Sequence, residues 1–421
     1  MPTVLDPTRL DLSHIVRPGD LVTWGQALAE PATLTAALMN QRHEIGGFDA
    51  FVGICQGEPL KAEYADCIRF TGYIGTGHSD LLKAGKLDIV PSHYSQIAHN
   101  VATGALKFDV VMLQLAPADK DGNYSFSMAN DYLVPALQRA RVVIAEVNDQ
   151  APWTHGERSL TGADIHYLVE TSRPLPELKQ VPPTDTDMLI ASNAAAFIED
   201  GATLQFGVGT LPEAILSRLG GRRDLGIHSG TIGDQTAALT EAGVITNARK
   251  SIDRGVTISC FIMGTHRLNR FAHQNPAVQL RSCTYTHSPE VLSQIERFVA
   301  INSALEVDLT GQVNAEVARE AYVGAVGGAG DFLRAAARSP GGIPMIALPA
   351  KTRGVSRIVS RLSGPVSTPR SDTGVIVTEY GAADLRGASM SQRIKRMITI
   401  AHPDDREELE KGARSLPGAV Q

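Results

Sequence analysis

Two glycine-rich turns are the segments of this sequence best suited to chemistry. Leu204-Gln-Phe-Gly207-Val208-Gly209-Thr-Leu-Pro212-Glu-Ala-Ile-Leu reads as strand, glycine turn and helix, with Pro212 in the first helical turn, where its missing N–H is not needed. Such a turn aims backbone N–H groups at an anion or a developing oxyanion; the same pattern also serves a tight strand-to-helix connection that holds nothing. It is not a Walker loop, because no GK[ST] follows, and not a full GxGxxG. The second turn, Gly324-Ala-Val-Gly327-Gly328-Ala329-Gly330-Asp331, sets four glycines in seven residues ahead of a helix. That density permits close backbone approach to a ligand, or a flexible surface turn.

A third segment, Ser303-Ala-Leu-Glu306-Val-Asp308-Leu-Thr-Gly-Gln312-Val-Asn314-Ala-Glu316, packs polar groups into an apolar region. Buried polar groups need partners, so it is either a pocket wall or an inter-strand hydrogen-bond network. Asp119-Lys-Asp121-Gly-Asn123 mimics a calcium loop, but its glycine stands fourth instead of sixth and no glutamate follows at the twelfth place, so a turn is expected. The twelve histidines, among them His78, His93, His99, His228, His266 and His287, form no HExxH motif and no Cys/His cluster, so no metal is expected. No GxSxG elbow is present.

These turns need strands and helices to hold them. Phe108–Leu115, Arg141–Val147, Gly201–Phe206, Phe298–Ala304, Ile343–Pro349 and Gly374–Tyr380 are near-continuous apolar runs, the pattern of parallel strands covered on both faces. Glu213–Leu219 and Asp331–Arg338 have helical spacing, and Asp404–Glu407 behind Pro403 has a capping-box pattern. Four prolines in the fifteen residues 173–187 mark a boundary, which predicts one α/β domain over 1–180 and a second over 181–421. A length of 421 residues, 43% hydrophobic and 20% charged, excludes disorder and small disulfide scaffolds. A net charge of −6 offers no global basic field for nucleic acid. The four cysteines lack CxxC spacing, and no apolar run reaches the roughly eighteen residues of a membrane helix. With no signal-like N-terminus, a cytoplasmic protein is expected.

Several strings, in order, carry a resemblance: Gly207-Val-Gly-Thr-Leu-Pro-Glu-Ala, Leu225-Gly-Ile-His-Ser229, Ala242-Gly-Val-Ile-Thr-Asn247, Phe261-Ile-Met-Gly264, Ile301–Glu316, Ile346-Ala-Leu-Pro349, Val377-Thr-Glu-Tyr-Gly381 and Ile400-Ala-His-Pro403. Glu30-Pro31, Gln114–Asp119 and Ala145–Gln150 agree in the N-terminal half. The chain resembles the acetyl-CoA hydrolase/transferase family, near the 4-hydroxybutyrate and butyrate CoA-transferases. The resemblance implies two similar open α/β CoA-transferase domains, an active-site cleft between them, an acyl-CoA substrate with coenzyme A as its carrier, and a homo-oligomer. It also implies covalent catalysis: a glutamate carboxylate attacks the thioester, and the resulting anhydride becomes a glutamyl-CoA thioester.

The resemblance breaks at that glutamate, which in the transferases directly follows the Ile-His-Ser segment. Here Ile227-His228-Ser229 is followed by Gly230, and the family's loop glutamine is Ala329. Three readings follow. One is a hydrolase, of a thioester or a C–C bond, that uses water. In it, backbone N–H groups around Gly207, Val208, Gly209, Gly327, Gly328 and Ala329 polarise the substrate, and His228, Asp234 or Glu30 is the base. The second is a carboxylate CoA-transferase, and the third a non-catalytic acyl-CoA binder. The acyl group is not legible.

Overall fold

Unbroken apolar runs become sheet strands buried along their length in the computed structural model of the chain, which describes residues 1–58 and 60–418. The chain divides into two units: Met1–Leu178 with Ile258–Thr286, and Lys179–Thr257 with His287–Gln421. It leaves the first unit inside the proline-rich segment, and Ile258–Thr286 belongs to that first unit again, a return that a single boundary at 180 does not contain.

The first unit holds an eight-stranded sheet of β1 (Thr3–Leu5), β2 (Leu21–Trp24), β3 (Phe48–Val52), β4 (Ile68–Gly72), β5 (Leu87–Ile89), β6 (Val110–Leu115), β7 (Val142–Asn148) and β8 (Tyr167–Thr171). Their order is β1-β8-β7-β6-β2-β3-β4-β5, and every neighbouring pair is parallel. Each residue of β6 and β7 is buried, as both faces of a parallel sheet require. Val22, Phe48, Ala50, Phe70, Val110, Met112 and Ile144 share a core with Leu34 and Leu38 of α1 (Ala32–Asn40). Strand order reverses between β2 and β6, so the segment Gly25–Glu30 leaves the sheet at a topological switch point.

The second unit holds β9 (Thr203–Phe206), β10 (Gly226–Ile227), β11 (Phe298–Asn302), β12 (Ile343–Ala347), β13 (Val375–Thr378) and β14 (Gly381–Asp384). Their order is β10-β9-β11-β12-β13-β14, parallel except for the β13–β14 pair. Its helices include α2 (Asp185–Ala195), α3 (Thr210–Ser217), α4 (Asp234–Glu241), α5 (Ala329–Arg338) and α6 (Met390–Ile400). Thr184 and Asp187 close a capping box on α2, where the proline-rich segment ends, and Ser389 and Gln392 close another on α6. Here too the strand order reverses, between β9 and β11, so the Gly207–Gly209 turn leaves its sheet at the switch point.

Local expectations meet mixed outcomes. Asp119 accepts from the backbone N–H groups of Asp121 and Asn123, both at 2.9 Å, and makes a turn. The polar run 303–316 is a hydrogen-bond network. Glu306 takes the Asn314 amide (3.0 Å) and the Ser363 N–H (2.7 Å), and Asp308 takes Thr310 and Gln312. The capping box at 404–407 does not form. Pro403–Asp405 is a single 3-10 turn whose cap is the side chain of His402, and Asp405 is drawn 2.7 Å from Lys351 instead. Among the described residues no helix is long and apolar enough to cross a membrane.

Candidate active site

In the second unit the chain passes from Phe206 at the end of β9 through Gly207, Val208 and Gly209 directly into α3. Gly209 has φ 131° and ψ 178°, a conformation essentially restricted to glycine. The Gly207 N–H is held by Ile301 at 3.3 Å. Among the described residues no acceptor takes the N–H of Val208, Gly209, Gly327 or Gly328, and Val208 and Gly209 are exposed. Below the turn, the Gln205 and Asn302 amides pair side by side across β9 and β11, at 3.0 and 3.3 Å.

The exit of β10 is fixed against this turn. The His228 N–H donates to Leu204 at 3.0 Å. The Ser229 hydroxyl donates to the Phe206 carbonyl (3.1 Å) and accepts from the Phe206 N–H (3.3 Å) and the Thr231 N–H (3.4 Å). Lys250, fully buried, extends its ammonium to the carbonyls of Ile227 (2.9 Å) and Val256 (2.7 Å), which holds the end of β10 from beneath. Gly230 follows, half-buried.

A histidine from a distant segment fills the space in front of Gly230. A β-carbon built on Gly230 would lie 3.3 Å from both Cε1 and Nε2 of His287; one built on Gly328, the cap of α5, would lie 2.6 Å from Nε2. The ring rests on Phe332 of α5, with centroids 4.5 Å apart. Burial and the nearby His228 push its pKa down to about 3, so it is neutral at ordinary pH. The imidazole thus sits between Gly230 and the second glycine turn, while Ser229 links Gly230 to the first.

The other expected residues are placed as follows. His228 is fully buried. Asp234 is half-buried in the first turn of α4 and accepts from the Gln180 amide at 3.2 Å. Gly327 (φ 57°), Gly328 and Ala329 lead into α5. Glu30 lies in the first unit, where burial pushes its carboxyl up in pKa; Thr35 donates to it at 2.9 Å, Arg173 draws it down, and Glu146 and Glu58 raise it further. Sequence reasoning passed over Glu213. Its carboxylate accepts from the Gln235 N–H at 2.9 Å at the start of α4, and burial, with Asp234 near it, raises its pKa to about 6. It also passed over His287, whose polar neighbours Thr286 and Ser288 match no motif. Among the described residues, donors close enough to share a metal are found at His43, Asp66 and Cys67, an exposed group whose aspartate is already bound by Arg42 at 2.8 and 3.0 Å.

This arrangement, backbone donors from two glycine turns around the end of a parallel sheet, suits an acyl group that develops negative charge on oxygen. The acetyl-CoA hydrolase/transferase N-terminal domain matches residues 8–177 and its C-terminal domain residues 264–413. The 4-hydroxybutyrate coenzyme A transferase of Clostridium kluyveri is 38% identical over 396 residues, covering 92% of either chain. RipA from Yersinia pestis superposes with TM-score 0.92 at 32% identity, over 98% of this chain and 97% of that one. The 4-hydroxybutyrate CoA-transferase of Porphyromonas gingivalis does so with TM-score 0.83 at 30% identity, over the same shares. The chain belongs to the acetyl-CoA hydrolase/transferase family and is one of its enzymes.

Proposed function

We propose that the protein hydrolyses an acyl-CoA thioester, with water doing what a side-chain carboxylate does in a CoA-transferase. The observation that carries this is position 230: a glycine, offering no carboxylate, between two turns with uncommitted N–H groups, and with the His287 ring in front of it. Water attacks the thioester carbonyl carbon and the N–H groups of Val208, Gly209, Gly327 and Gly328 receive the oxyanion. Collapse breaks the C–S bond, and coenzyme A leaves as the thiol with the proton that the water released. His228 and Asp234 are the proposed proton-transfer groups. Loss of one oxyanion donor typically costs about 10²–10³ in rate, so the turns serve catalysis without a covalent nucleophile.

The second reading, transfer of coenzyme A to a carboxylic acid, is supported by relatives bearing that name, at 38% identity in the case from Clostridium kluyveri. Incubation of the pure protein with butyryl-CoA, with and without acetate, separates the two by mass spectrometry. Free coenzyme A and butyrate without acetate are expected; acetyl-CoA that forms only when acetate is present would replace hydrolysis by transfer.

A further inference from the structure

We infer that His287 decides which nucleophile the site uses: its imidazole takes the volume into which any side chain at position 230 would grow, and so reserves the site for water. The inference rests on the hydrolase reading above but is argued from packing. A β-carbon on Gly230 would point at His287 (3.3 Å to Cε1 and Nε2) and at Phe332 (3.7 Å to Cε2). The ring is closely enclosed: it is 97% buried, tilted 51° against Phe332, and bordered also by Gly328, where a β-carbon would come within 2.6 Å of Nε2. Gly230 and Gly328 are therefore the two walls of a slot shaped to one imidazole. Neither glycine has positive φ, so what forbids larger residues there is the ring and not the backbone. A side chain returned to position 230 would require the enclosed ring to give way by a few tenths of an ångström.

The test is a double-mutant comparison with two readouts. In the first, Gly230→Ala is made alone and on His287→Asn. Overpacking against the ring is expected to lower Tm by about 2–4 °C in the first case and by less than half of that in the second. Equal losses in both backgrounds would overturn the inference. In the second, Gly230→Glu is compared with Gly230→Glu/His287→Ala on butyryl-CoA with acetate. In the double variant the introduced carboxylate attacks the thioester carbonyl and expels coenzyme A thiolate. The thiolate then attacks the side-chain carbonyl of the anhydride and expels butyrate, leaving coenzyme A bound to the chain. Acetyl-CoA formation at least about tenfold above the single variant, with a coenzyme A adduct in the intact mass, is expected. A single variant that transfers as well as the double would overturn the inference. If the unmodified protein makes acetyl-CoA only with acetate, the hydrolase reading fails by itself, and the Tm comparison still decides what His287 does.

Discussion

At the scale of the residue, the glycines around the candidate site are not interchangeable: one has room for a side chain, and the others exclude it for different reasons. A side chain at Gly207 would meet nothing within 4 Å, and its φ is not in the left-handed region, so Gly207→Ala is expected to leave Tm within about 1 °C. Gly209 has the same open surroundings but a φ of 131°, so Gly209→Ala is expected to cost about 1–3 kcal/mol through the backbone alone. At Gly328 the backbone is ordinary and the obstacle is His287 Nε2 at 2.6 Å. Gly328→Ala should therefore cost a similar amount by packing, and His287→Asn should relieve that cost while leaving the Gly209→Ala cost unchanged. Thermal denaturation of seven proteins (the native chain, the three glycine variants, His287→Asn, and the 209 and 328 variants each combined with His287→Asn) checks all three assignments, and relief at 209 as well would refute the distinction between strain and collision.

At the scale of the element, the decisive piece is β10, only two residues long, which presents His228, Ser229 and Gly230 at its exit. So short a strand has little ladder of its own and is held by what surrounds it: Lys250 beneath, Ser229 beside, and the Asn247 carboxamide oxygen, which takes the Ile227 N–H at 2.8 Å. Lys250→Met keeps the volume but leaves two carbonyls without their donor. A loss of about 2–4 kcal/mol and a fall in catalytic rate larger than any change in KM are expected, since the exit would shift relative to the glycine turn; an unchanged rate in the folded variant would show that β10 is positioned otherwise. Strands of this kind are also where sequence reading stops. β6, β7, β9, β11, β12 and β13 were legible because both faces of a central parallel strand must be apolar, and the first glycine turn was legible because strand, glycines and helix are adjacent in sequence. His287 was not, because its place opposite Gly230 is set by a contact 57 positions along the chain, and a lone histidine among Thr286 and Ser288 has no local pattern to betray it. The helix expected behind an Asp404 cap starts one residue later, at Arg406, and its cap residue Asp405 gives its carboxylate to a lysine 54 positions away and not to the helix.

At the scale of the whole molecule, buried titratable groups make opposing demands on pH. Asp131, buried in the first unit, accepts from the Gln26 amide at 2.8 Å, and burial raises its pKa to about 6. Glu213 in the second unit is likewise raised to about 6. Each binds a proton more readily folded than unfolded, so between about pH 4 and 6 each makes stability fall as pH rises. His287 has the opposite sign. Held down to about 3, it stays neutral in the folded state while the unfolded chain's histidine takes up a proton below about 6.5, so its contribution is lost as pH falls through that range. Over pH 4–6 the terms act against each other, and the native protein is expected to show a shallow dependence of Tm on pH. The two can be unmasked separately. His287→Asn removes its own term while the buried His78, also held down by burial, keeps one of the same sign, so Tm should rise less, or fall more, from pH 4 to 6 than in the native protein. Glu213→Gln keeps an acceptor for the Gln235 N–H but removes one carboxyl term, and Tm should then rise more steeply with pH than in the native protein. If both variants instead tilted in the same direction, the two groups could not be opposed. A His287→Asn profile parallel to the native one would mean that this imidazole titrates in the folded protein, and so is not the neutral, enclosed ring that the slot between Gly230 and Gly328 requires.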